Sequence, residues 1–283
     1  MTPAVEAILR EWTPPIGANI AIVLSAAVYG RGWLRLHSFF SRLFPTWRLI
    51  AFLGGLLALW IAVCSPLEAF DDASLAAHMV QHMLLMAVAP PLLLLGAPTL
   101  PVLRGLPRSS VRRALGPLLR WPPVQRLGHF LTHPAIALAF ASVALVAWHI
   151  PAAFELALRS NRWHETEHAC FFTTSLLFWW PVVQPFPSRA RWPRWSMPVY
   201  LLFGMLPCGA LGAFLTFFDR VIYAPYRSQP AIFFPSPLAD QVFAGLLMWV
   251  FGLIIYLLPA VAITFQLLSP EAASQQSRVP VQA

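Results

Sequence analysis

Residues 74–97 read SLAAHMVQHMLLMAVAPPLLLLGA. Beyond the polar residues of its first turns, Ser74, His78, Gln81 and His82, the stretch is apolar throughout, and its length matches the roughly 20 residues that a helix needs to cross a bilayer core of about 30 Å. A soluble helix of that length would show a charged face, and none is present. The stretch therefore reads as a membrane span with a histidine-bearing end. Working outward, six other apolar runs obey the same rule, giving seven candidate helices at about 16–33, 47–66, 74–97, 133–152, 166–185, 198–218 and 238–268. Pro90 and Pro91 in the third run, Pro181 and Pro185 at the end of the fifth, and Pro259 in the last predict kinks or tilt.

Composition agrees with an all-α membrane protein. Of 283 residues, 58% are apolar and only 11% charged, with a mean hydropathy of +0.66, whereas a soluble globule runs near a quarter charged. All 19 basic side chains are arginine, and they sit in short clusters between the apolar runs, so the net charge of +8 reads as loop charge rather than a nucleic-acid surface. Nucleic acid is excluded as a partner; membrane lipid is expected. Cys64, Cys170 and Cys208 show no CxxC spacing, which argues against a disulfide framework or a thiolate zinc site. The first fifteen residues carry Glu6 and Glu11 and lack the pattern of a removable signal peptide. The chain is read as one integral-membrane domain over 1–283, with residues 269–283, rich in Ser, Gln and Ala, as a disordered tail.

Orientation follows from arginine, which is retained in cytoplasmic loops. The first, third and fifth connections and the tail hold 14 of the 19 arginines, while ten of the eleven acids lie in the alternate connections and at the N-terminus. The N-terminus is therefore expected outside and the C-terminus inside. Trp33, Trp47, Trp148, Trp163, Trp179 and Trp180 fall near predicted helix ends, where an indole favours the interface.

On this topology five of the eight histidines gather at one level. His78 and His82 open the third helix, His149 closes the fourth, and His164 and His168 open the fifth. Both pairs are spaced i, i+4, which puts their rings on one helical face about 6 Å apart, close enough to share an ion. Imidazole suits copper, zinc or iron; Met79, Met83 and Met86 lie on or beside the His78/His82 stripe, and thioethers favour Cu(I) among these. Cys64, at the outer end of the second helix, is a further soft donor for such a site. The alternative is that these histidines cap helix ends, which is the reading for His129 and His133, on the inner side; His37 reads as solvated. Glu68, Asp71 and Asp72 precede His78 as helix N-terminal charges or as a funnel for cations. His164, Glu165 and His168 also spell HExxH, the zinc-protease pattern, for which Asp240 is the one acid on offer as a third ligand. Paired histidines on facing helices could instead ligate haem. Transport of the metal across the membrane is disfavoured, because the inner halves of these helices lack further ionisable residues.

The order of motifs resembles a known family. SPLEAFDDASLAAHMVQHMLL (65–85), AWHIP (147–151), HETEHACFF (164–172), LFWWPV (177–182) and ADQVFAGLLMW (239–249) are similar to the integral-membrane CtaG proteins that assist assembly of caa3-type cytochrome c oxidase. The resemblance covers nearly the whole chain except its termini. It implies a seven-span, non-enzymatic protein of the bacterial inner membrane that supports oxidase maturation at its copper centres. By the same resemblance, His78, His82, His149, His164 and His168 are the metal-binding set, and Asp240 and Gln241 are polar partners at the outer end. Copper, most plausibly as Cu(I), is then the expected cofactor, ahead of zinc, and it is expected to be released on acidification as the imidazoles protonate. Oxidase subunits and a periplasmic copper donor are the expected partners.

Overall fold

A computed structural model of the chain describes residues 3–188, 192–229 and 232–269, and among them all regular structure is helical. The order is α1 (Pro3–Glu11), α2 (Ile16–His37), α3 (Thr46–Cys64), α4 (Leu75–Leu95), α5 (Thr99–Gly105), α6 (Pro122–Leu131), α7 (Pro134–Trp148), α8 (Pro151–Leu158), α9 (Asn161–Val183), α10 (Ser196–Phe217) and α11 (Pro237–Leu268). The expected disordered tail beyond Ser269, with Arg278, lies outside the described residues, as do Arg189 and Arg191.

Among the described residues, four helices are long and apolar enough to cross a membrane: α3 with the turn that extends it to Phe70, α4, α10 and α11. Counting α1 with α2, bent by 76°, and α6 with α7, bent by 67°, as single spans raises the number to six. The chain thus has the architecture of a multi-pass membrane protein. The expected fifth run lies in α9, which has 23 residues but carries Arg162, His164, Glu165, Glu167 and His168 in its first two turns. That polarity keeps it out of the set defined by length and composition. Large apolar side chains lie on the outside, among them Val23 and Leu24 on α2, Phe203 and Phe217 on α10, and Leu258 and Phe265 on α11. Such an exposed belt suits a hydrocarbon surround and not water.

α4 is the central rod, packed against α3, α9 and α11, while α7 rests on α9 and α10 rests on α7 and α11. Residues Leu84–Val88 widen into a π-turn ahead of Pro90. Pro90 has no N–H for the carbonyl of Met86 one turn earlier, and the Trp179 indole N–H donates to that carbonyl at 3.0 Å. Sequence reading put Trp179 and Trp33 at the interface, but both are buried; Trp179 is drawn inward by this bond, whereas Trp47 and Trp163 are exposed. α10 and α11 touch backbone to backbone: a Cβ on Gly245 would stand 2.6 Å from the Gly212 carbonyl oxygen, and one on Gly212 would stand 2.7 Å from the Trp249 amide. Glycine at both positions permits that approach, as small residues do between membrane helices.

Arg35 of α2 donates to the Arg104 carbonyl at 2.8 Å, and Arg194 donates to Gln266 of α11 at 2.9 Å, so arginines of the first, third and fifth connections meet bundle ends remote from the starts of α4 and α11. His37, read as solvated, is half-buried, stacked on Trp33 with ring centroids 4.5 Å apart and 2.8 Å from the Phe44 carbonyl through Nδ1. His133 caps α7 by accepting the Ala135 amide at 3.3 Å, the non-metal role expected of it.

Candidate metal centre

The start of α4 is held from another helix. Ser74 is its N-cap, accepting the Ala77 amide at 3.3 Å. Asp240 of α11 reaches across: one carboxylate oxygen accepts from the Ser74 hydroxyl (2.8 Å) and the Ala76 amide (3.2 Å), the other from the Leu75 amide (2.7 Å). A carboxylate there takes up otherwise unpaired N–H groups and faces the positive end of the helix. The N-terminal charge anticipated from Glu68, Asp71 and Asp72 is therefore supplied by a residue 165 positions away from Leu75. Gln241 beside it accepts the Ile222 amide at 2.8 Å and donates to the carbonyls of Leu215 and Arg220, pinning the loop after α10. That loop sends the Tyr223 hydroxyl to the His149 carbonyl at 3.1 Å and the Tyr226 hydroxyl to the Asp71 carbonyl at 2.6 Å.

This framework brings together all five histidines singled out by spacing. Ring centroids lie 4.3 Å apart for His78 and His82 and 4.1 Å for His164 and His168. Across the helices they lie 5.4 Å apart for His78 and His164, 5.6 Å for His82 and His168, and 5.8 Å for His82 and His149. His149 arrives from the end of α7, its Nδ1 held 2.8 Å from the Leu145 carbonyl, which aims Nε2 elsewhere. Phe154 of α8 and Phe171 of α9, both fully buried, pack at 4.9 Å on His78 and 4.6 Å on His82. Haem needs a flat slot for its macrocycle; these rings lie against one another and against the two phenylalanines, which gives the haem reading no support.

Glu167 was missed as a site residue, and it sits in the middle. It is fully buried, 3.9 Å from His78 Nε2 and 3.7 Å from His82 Nε2. The signal was available: Glu167 follows His164 by three, so the two share a helical face. HExxH drew attention to Glu165 instead, which is exposed and belongs to neither of the donor groups described next. With Asp240 committed to the α4 N-terminus, the protease pattern has neither its base in place nor its third ligand.

Among the described residues, two groups have donor atoms all within 4.8 Å of one another: His78, His82 and Glu167, and Asp71, His78 and His164. Asp71 is 3.4 Å from His164 Nε2. Burial, with Asp72 and Glu68 nearby, pushes the Asp71 carboxyl up to about 8, and burial also raises Asp72. Both ring nitrogens of His78 and of His82, both Glu167 oxygens, and Nε2 of His149, His164 and His168 are buried without a hydrogen-bond partner. Unpaired buried polar atoms are costly, and a cation seated among them satisfies carboxylate oxygens and imidazole lone pairs together. By this test the residues fit a metal ion. Cys64 is buried at the end of α3 and joins neither group, while Met79, Met83 and Met86 are buried in an apolar cluster with Phe154 and Phe171.

Similar proteins place the chain. Residues 27–269 match the family described as cytochrome c oxidase caa3 assembly factor (Caa3_CtaG). An uncharacterized protein of Mycobacterium bovis is 30% identical over 254 residues, which is 87% of this chain and 38% of the relative, and one of Mycobacterium leprae is 29% identical over 239 residues, 83% of this chain and 36% of the relative. The chain thus spans less than two fifths of the curated relatives it matches. No solved structure matches it significantly. With the match running almost from end to end, the chain belongs to the Caa3_CtaG family of cytochrome c oxidase assembly factors.

Proposed function

We propose that this protein supports maturation of cytochrome c oxidase by binding copper, as Cu(I), among His78, His82, His149, His164 and His168, with Glu167 as a further donor. The observation that carries the reading is the set of buried, unpartnered nitrogens and oxygens converging from α4, α7 and α9. Imidazole suits copper better than it suits harder cations, and membership of an oxidase assembly family supplies a destination for the copper. That family role is not a catalytic one. Oxidase subunits are then the acceptors, a periplasmic copper donor the source, and the bacterial inner membrane the setting.

Seven crossings fit this role, with α9 as the fifth: its Glu167 and His168 are buried against the bundle rather than turned to lipid, as ionisable groups within membranes are. The arginine-rich end then lies in the cytoplasm and the histidine end faces outward. The test is metal analysis of protein purified without oxygen. Wild type should carry copper in fixed proportion and the His78→Ala/His82→Ala variant should lose it, with oxidase activity falling in the corresponding cells. Full copper retention by that variant, or zinc in place of copper, overturns the assignment.

A further inference from the structure

We propose that Asp71, His164 and His78 form an outer station at which the ion is first taken from solution, before it passes to the inner set of His78, His82 and Glu167. This rests on the copper reading and adds how the buried set is filled. The two groups share His78, which is fully buried with neither ring nitrogen partnered. A neutral imidazole offers one lone pair. Two groups that share it are therefore alternate positions of a single ion.

Asp71 and His164 differ from the inner residues in also lining an open cleft of about 840 Å³. Its wall carries the further carboxyls of Glu11, Glu68, Asp72 and Glu165 and no arginine. In a chain whose net charge is +8, that is a local inversion of sign. Clefts lined by one sign of charge concentrate the opposite ion. Asp71 and His164 thus sit where the acidic cleft meets the buried donors, and the inner residues are reached past them. Passage inward is a ligand exchange: the bonds from metal to the Asp71 oxygen and the His164 nitrogen break, and bonds to the His82 nitrogen and a Glu167 oxygen form. His78 stays bound throughout. The metal keeps its oxidation state, and protons displaced from the carboxyls leave to water in the cleft.

The test follows Cu(I) uptake by the full chain in lipid nanodiscs, with copper offered as its bicinchoninate complex and read by loss of that complex's colour. Asp71→Asn and His164→Asn should each slow filling by roughly tenfold or more, and Asp71→Asn, which removes no member of the inner set, should still reach the wild-type copper content. Glu167→Gln should lower the final content instead. The exposed pair Glu11→Gln/Glu165→Gln, which leaves both donor groups intact, should slow filling and weaken its dependence on salt. Wild-type filling rates in Asp71→Asn, His164→Asn and the rim variant, or a loss of content in Asp71→Asn equal to that of Glu167→Gln, overturn the outer station. A wild-type chain that takes up no copper overturns the copper reading itself.

Discussion

Asp240 and Glu167 are both buried carboxyls, and their surroundings give them different tasks. Asp240 accepts three hydrogen bonds at the start of α4, so it is fully committed to structure. Glu167 has no donor within hydrogen-bond reach and faces two imidazoles, so it remains available to a ligand. Replacing Asp240 by alanine strands the Leu75 and Ala76 amides, and stability should fall by about 1–3 kcal/mol. Thermal unfolding in detergent would show it, with Asp240→Asn intermediate because one oxygen is kept. Unchanged melting would mean that water replaces the carboxylate without loss.

Among the helices, the strongest demands come from close approach and from proline. Trp179 spans from α9 to the carbonyl that Pro90 leaves unpaired in α4. Trp179→Phe keeps the apolar ring and removes the N–H, and should cost about 1–3 kcal/mol while leaving copper content unchanged, since the bond lies more than a turn from the histidines. Gly245→Ala sets a methyl 2.5 Å from the Thr216 hydroxyl and 2.6 Å from the Gly212 carbonyl. Backbone on both sides cannot yield as a side chain can, so α10 and α11 should separate and the melting temperature fall by more than for Gly17→Ala, where a Cβ meets nothing within 4 Å. Equal melting of the two alanine variants would rule out the tight crossing.

Across the whole sequence, 14 of the 19 arginines fall in the first, third and fifth connections and the tail, while ten of the eleven acids and five of the eight histidines fall on the alternate side. Under the positive-inside rule this sorting sets the direction of insertion. Reporter fusions test it: a phosphatase active only outside the cytoplasm should work when joined within the loop after α10 and fail when joined between α5 and α6, and the reverse result would invert the assignment. An even number of crossings would put both termini on the same side, which a reporter at each end would reveal.

The apolar runs, their length, the arginine bias and the i, i+4 histidine pairs are local properties of the chain. They sufficed to read a helical membrane protein with a histidine-rich end, because helix periodicity and bilayer thickness act on contiguous residues. Which acid joins the histidines was not legible in that way. Glu165 matched a motif and Glu167 matched none, and the choice between them depends on which face of α9 meets α4. Asp240 looked like a ligand until its distance from the α4 amides was known, and His37 looked solvated until Trp33 and Phe44 were seen around it. Burial and partnership are relations between helices far apart in the chain, so tertiary packing alone decided which polar groups are spent on the fold and which remain free to bind.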